Sequence, residues 1–325
     1  MDKPFKTIDE QIEILKSRGM DVNYDFAYRQ LLNKGYYNII NGYKDFFLLP
    51  NTDNFKDGTT FNDIDLLFEV DNQLSQLLLS ICLDVERRFK TALAYYISQK
   101  YGVIEEQYLC RKNYSTGNHI KNNIWQVDET LKIFWNLTKD QSQPIKHYRE
   151  NHANIPPWIL FSKATFGNIY YLFKLCPSSI KTNVISTMLG MSKSLIDDTT
   201  RMMFSDTLFL ILHFRNRSAH ASRIYNFTIN AANSFMPYYE KIHCKFGINE
   251  AESKSGIGKY DVYAFIIGIY FIDKKLYSHF MEQLKLLLNL YNLRQPNNFK
   301  QFLETIGIPH KLLDTDIEHI FPLAI

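Results

Sequence analysis

Cysteine is scarce in this chain. Four cysteines among 325 residues, none of them in a CxxC pair, leave neither a disulfide framework nor a thiolate metal cluster to read. Cys82 and Cys176 fall among apolar residues, a setting that predicts small buried thiols. An excess of one charge is also missing: 37 Lys and Arg stand against 34 Asp and Glu, for a net charge of +3. The bulk composition therefore does not announce a nucleic-acid binder, and any such surface has to be local. No apolar run is long enough to cross a bilayer. The greasiest, Tyr263 to Ile272, stops at Asp273-Lys274-Lys275 after about half the length a span needs. The opening Met-Asp-Lys-Pro lacks the basic-then-apolar pattern of a signal peptide. A cytoplasmic protein with no membrane partner is expected. No tandem repeat, low-complexity tract or convincing series of alternating strands is visible.

What the chain does have is apolar mass, 46% of residues with 21 Tyr and 24 Phe, arranged with helical punctuation. Thr7 and Glu10 form a capping-box pattern, Ile8, Ile12 and Leu15 follow at helical spacing, and Gly19 closes the segment. Asn62 to Tyr101 is the longest periodic stretch, with Leu67, Val70, Leu74, Leu78, Ile81, Val85, Phe89 and Leu93 on one side and no internal Gly or Pro. Pro156-Pro157 opens a helix from Trp158 to Leu175, interrupted near Phe166-Gly167-Asn168. Another helix starts near Leu195, Val262 to Leu293 reads as one long helix, and Asn297 to Ile308 as a short one. Tyr36, Tyr37 and Tyr43 read as core aromatics. The fold class that follows is all-α, in one domain over 1–325 with a small N-terminal helical subregion over 1–60.

The chemistry concentrates in Arg215-Asn216-Arg217-Ser218-Ala219-His220-Ala221-Ser222-Arg223-Ile224-Tyr225-Asn226, the polar end of an otherwise apolar helix. If the helix continues, positions four and seven apart share a face, so Asn216, His220 and Arg223 line one stripe. Arg215 flanks that stripe, and small residues leave room for a nucleotide or another backbone. A cation, an amide and an imidazole together suit phosphate chemistry. The competing reading is a solvated helix end whose cations face the C-terminal dipole. His213, one heptad before His220, fits packing better than chemistry. Glu86, in Glu86-Arg87-Arg88 on the long helix, is either a solvated turn or a carboxylate that orients Arg215 or His220 from a neighbouring helix. Lys254 and Lys259 lie beside glycines without forming a GxxxxGK[ST] phosphate loop. No HExxH, clustered Cys/His set or paired acidic run surrounds the motif, so no metal and no cofactor is expected.

Five segments in order carry a resemblance: Thr7 to Met20; Tyr36-Tyr37 with Gly42-Tyr43 and Phe46; Phe61 to Arg88 with its acidic Glu86; Pro157-Trp158-Ile159-Leu160 followed by Thr165-Phe166-Gly167-Asn168; and Arg215-Asn216 to Asn226. Together they resemble the Abi family of bacterial abortive-infection proteins, the AbiD/AbiF-like group, within the HEPN superfamily of helical nucleases. The chain departs from the family pattern at Ala221, where many relatives have a second His, and at Phe214, where Leu is usual. The resemblance implies a HEPN-like helical core with C-terminal helices over 61–325 and a metal-independent endoribonuclease acting in phage defence. It implies Arg215 and His220 as the catalytic pair, with Asn216 beside them. Arg223, Arg217, Glu86 and His213 are the candidates for contacting substrate or supporting the site. It also implies a homodimer that brings two motifs face to face, RNA as substrate, and a small regulatory RNA or an antitoxin as a further partner. The alternative is a non-catalytic HEPN module that binds RNA or dimerises to regulate a defence or toxin–antitoxin system.

Overall fold

The computed structural model describes residues 4–121, 123–220, 222–229, 239–314 and 317–321, and they form an all-α multi-helix bundle. Two short helices, α1 (Ile8–Ser17) and α2 (Tyr24–Lys34), precede the long axis of the molecule, α3 (Phe61–Tyr101). A single turn, α4 (Glu105–Tyr108), and a two-stranded ribbon, β1 (His119–Lys121) against β2 (Ile124–Trp125), lead to α5 (Gln126–Leu137) and α6 (Ile145–Asn151). Then come α7 (Pro157–Lys163), α8 (Phe166–Leu175), α9 (Ser178–Leu189) and α10 (Asp198–Ala219). Short turns α11 (Glu240–His243) and α12 (Glu250–Lys254) precede α13 (Val262–Ile272), α14 (Lys274–Arg294), α15 (Pro296–Thr305) and the closing turn α16 (Ile317–Ile320).

Local chemistry explains where most helices begin. The Thr7 hydroxyl accepts from the Glu10 amide at 3.2 Å while the Glu10 carboxylate accepts from the Thr7 amide at 2.8 Å, the capping box expected from the sequence. Thr60 and Asp63 repeat the device at the head of α3. The break expected near Phe166 falls just before it: Ala164 is extended and the Thr165 hydroxyl caps α8 through the Asn168 amide at 3.2 Å. The stretch 262–293 differs from expectation, being two helices. Asp273 leaves the helical region (φ −160°, ψ 116°), and its carboxylate takes the amides of Lys275 and Leu276 at 2.8 and 3.0 Å. One carboxylate that caps so well outweighs the continuous apolar pattern around it.

Helix α3, 41 residues long, is packed on α7, α9, α10 and α14, so neighbours cover its apolar side along much of its length. Its Phe89 ring meets Phe166, Phe173 and Phe204 at centroid distances of 6.1, 5.2 and 6.3 Å, mostly edge to face. Helix α13 is apolar on every side and enclosed, as a helix lacking a polar face must be. It lies so close to α10 that a Cβ at Gly268 would come within 3.0 Å of Thr207. Among the described residues no helix is long and apolar enough to cross a membrane. Cys82 and Cys176 are buried free thiols, and burial pushes both up. Tyr43 is core, but Tyr37 is 76% exposed and does not belong with it.

Candidate functional site

Helix α10 changes character at Arg215. Upstream, Leu208, Ile211 and Phe214 are buried against the bundle; downstream, Asn216 and His220 are exposed and Arg215 is partly open. The helix ends at Ala219, with His220 as its C-cap (φ −96°, ψ 17°) and the His220 amide still reaching the Asn216 carbonyl at 3.3 Å. Asn216 and His220 therefore stand one turn apart at a solvent-facing helix end, as the spacing predicts. Neither side chain has a hydrogen-bond partner among the described residues. Ala221, where the sequence departs from the family motif, lies outside the described residues.

Glu86 settles the placement of Arg215. The carboxylate is 6% exposed, with Oε2 accepting from Arg215 Nε at 3.1 Å and Oε1 paired with Lys90 Nζ at 2.8 Å. Lys90 in turn donates to the Ala164 carbonyl at 2.7 Å. Tethering through Nε fixes one edge of the guanidinium and leaves Nη1 and Nη2, the edge suited to a phosphate fork, without a partner among the described residues. Of the alternatives for Glu86, the structure shows the carboxylate bound to Arg215 and not to His220. Removing one partner of a fully enclosed pair costs roughly 3–5 kcal/mol. Here Arg215 and Lys90 keep access to water, so Glu86→Gln is expected to cost about 2 kcal/mol. Urea unfolding of the two proteins measures the difference.

The remaining candidates do not share the stripe drawn from the sequence. Since α10 stops before Arg223, that side chain leaves the helix face and donates through Nη1 to the Gly42 carbonyl in the N-terminal subregion. Arg217 donates through Nε to the Arg223 carbonyl at 2.9 Å and lays its guanidinium over Phe227 at 5.0 Å. Both arginines thus fold the segment after His220 back onto the body. His213 packs on the Phe209 ring at 4.3 Å, and burial lowers its pKa, which favours the neutral ring of a packing residue. Lys254 pairs with Glu250 at 2.9 Å.

One residue the sequence reading passed over holds this turn in place. Asp71 of α3, 2% exposed, accepts from the Ile224 amide at 3.1 Å, the Tyr225 amide at 2.7 Å and the Tyr43 hydroxyl at 2.7 Å. Tyr43 and Tyr225 stack at 5.4 Å beside it. Burial raises the Asp71 carboxyl, against the pull of these three donors. Its signal in the sequence was an acidic residue inside the apolar stripe of α3, next to Val70. Among the described residues, no group of three or more His, Cys, Asp or Glu side chains could hold a metal ion.

These features describe an all-helical protein that presents an arginine, an amide and an imidazole at one helix end, with a buried carboxylate behind the arginine. The sequence profile of the Abi-like protein family matches residues 29–226, from within α2 to the last residue of the motif, so Asp71, Glu86, Trp158, Arg215 and His220 all fall inside it. The chain belongs to the Abi-like protein family, and that membership suggests an abortive-infection role in phage defence. No curated protein and no solved structure matches the chain.

Proposed function

We propose that the protein is a metal-independent endoribonuclease of the HEPN type, acting in abortive infection as a cytoplasmic homodimer. The observation that carries this reading is the Arg215 guanidinium, held on one edge by buried Glu86 and open on the other, beside exposed Asn216 and His220. RNA supplies its own nucleophile, the 2′-OH next to each phosphodiester. His220 of one copy takes the 2′-OH proton as the oxygen bonds to phosphorus. His220 of the other copy gives a proton to the departing 5′-oxygen. Arg215 stabilises the charge gathering on the non-bridging oxygens, and Asn216, exposed one turn before His220, hydrogen-bonds the substrate. The products are a 2′,3′-cyclic phosphate and a 5′-hydroxyl. Two symmetric copies separate the acid and base roles that one imidazole cannot hold at once. Among the described residues, the one carboxylate paired with Arg215 is already shared between two cations, which supports chemistry without a metal.

In excess EDTA, purified protein is expected to cut a labelled RNA to cyclic-phosphate ends and to spare the 2′-deoxy analogue of the same sequence. Loss of all cleavage on chelation, or equal cutting of the deoxy strand, would sink the mechanism. A second reading is a non-catalytic RNA-binding or dimerising module that regulates a defence system, with a small RNA or an antitoxin as its partner. The observation favouring it is the absence, among the described residues, of any group that orients the His220 ring. RNA binding that survives His220→Ala, with no products from either protein, would select that reading.

A further inference from the structure

Two hollows run side by side along the outer face of α3. One, of about 360 Å³, is lined by Leu83, Glu86, Arg87, Lys90 and Thr91 of α3 with Trp158 of α7. The other, of about 500 Å³, is lined by Arg87, Arg88, Thr91, Tyr95 and Tyr96 with Met188 of α9. They share Arg87 and Thr91, so they form one continuous surface. From Glu86 to Tyr95 it extends about 14 Å along the helix, room for a short run of nucleotides. At one end lies Glu86, the carboxylate that holds Arg215.

We propose that this face is the track on which a single RNA strand lies as it enters the Arg215–His220 site, with Trp158 and Tyr95 as stacking platforms and Arg87 as a backbone contact. The proposal rests on the ribonuclease reading and names where its substrate lies. Large aromatic rings are costly to leave in water, yet Trp158 is 52% and Tyr95 60% exposed. Trp158 lines one hollow with Arg87, and Tyr95 the other with Arg87 and Arg88, the combination by which single strands are gripped without regard to sequence: rings stack on bases and cations follow the backbone. Among the described residues Arg87, largely exposed, is paired only with Asp84, one turn away and half-buried, whose carboxylate Arg88 also reaches at 3.6 Å. An ion pair of that kind contributes little, and a phosphate can displace it. Arg88 differs, being held by Asp273 at 2.8 Å across to α14, and serves as scaffold. The charge of this face suits a polyanion better than a second copy of the chain, which would meet the same arginines.

Binding of a fluorescent single-stranded oligoribonucleotide, followed by anisotropy in the His220→Ala background so that no strand is cut, tests the track. Adding Trp158→Ala is expected to weaken binding about tenfold or more, and Trp158→Phe to recover most of the loss. Adding Arg87→Glu is expected to weaken binding and flatten its salt dependence, while Lys254→Glu, the same charge change at another exposed site, is expected to do neither. Unchanged affinity in both Trp158→Ala and Arg87→Glu overturns the track. The ribonuclease reading still stands in that case if the protein with His220 intact cuts RNA, and falls if it does not. Sedimentation of each variant supplies the remaining outcome: binding lost only together with self-association would assign this face to a second copy and overturn the proposal.

Discussion

Replacing His220 by alanine is expected to slow RNA cleavage by about 10²–10⁴-fold, the range that a positioned acid–base group supplies, with little change in unfolding midpoint. The second half follows from exposure: the imidazole sits at a helix end in solvent and makes no hydrogen bond among the described residues, so its removal leaves neither a cavity nor a stranded partner. Arg215→Ala is expected to lose about 10²–10³-fold, as when one donor to a developing oxyanion is removed. It also leaves buried Glu86 with Lys90 as its one remaining ion-pair partner among the described residues, and so carries a stability cost that His220→Ala does not. The informative variant is Arg215→Lys. Lysine keeps the charge but cannot be held through one nitrogen while offering a planar fork with two others. If positioning by Glu86 matters, Arg215→Lys loses nearly as much activity as Arg215→Ala while recovering most of its stability. Single-turnover cleavage and thermal unfolding of the same preparations separate the two effects. Near-normal activity in Arg215→Lys would reduce Glu86 to a structural counter-ion, and near-normal activity in His220→Ala would remove the site altogether.

How much of this could be read from the sequence depends on how local the controlling chemistry is. The Thr7 capping box, the uninterrupted run of α3 and the apolar-to-polar change at Arg215 are set by neighbours within a turn or two, and each was legible. So was the chemical singularity of Glu86, an acid in an apolar stripe, although only the fold shows that its partner lies 129 residues away. The misplaced boundaries share a cause. The apolar pattern of 262–293 says nothing about a chain reversal, and Asp273 could be recognised as a cap only with hindsight, since Asp also occurs inside helices. The end of α10 is governed by distant groups: Gly42 captures Arg223, and Asp71 captures the two backbone amides after it. No periodicity rule contains that information. Tyr37 misleads for the opposite reason. An aromatic block invites a core assignment, yet Ile39 and Ile40 take the buried positions of that segment and turn Tyr37 outward.

Asp71 is where folding and the proposed chemistry meet, and Asp71→Ala is expected to be the most damaging single change outside the motif. The side chain is enclosed, and three donors converge on it: the Tyr43 hydroxyl and the amides of Ile224 and Tyr225. Each donor left unsatisfied in the interior costs about 1–3 kcal/mol. Because the segment carrying two of them can swing toward water, the expected total is about 3–4 kcal/mol, measured by urea unfolding. Asp71→Asn keeps one acceptor oxygen but points an amino group at donors, and is expected to fall between alanine and wild type. The functional consequence follows from position: Ile224 lies four residues after His220, so releasing it frees the turn that fixes where α10 ends. Cleavage by the fraction that remains folded is then expected to drop, although Asp71 touches no substrate in the proposed mechanism. Hydrogen exchange at the Ile224 and Tyr225 amides distinguishes this from general destabilisation. In Asp71→Asn these amides are expected to exchange faster while those in the middle of α10 stay protected. Uniform loss of protection along α10, or a folded Asp71→Asn protein with full activity and unchanged exchange, would show that the carboxylate stabilises the bundle without setting the geometry of the site.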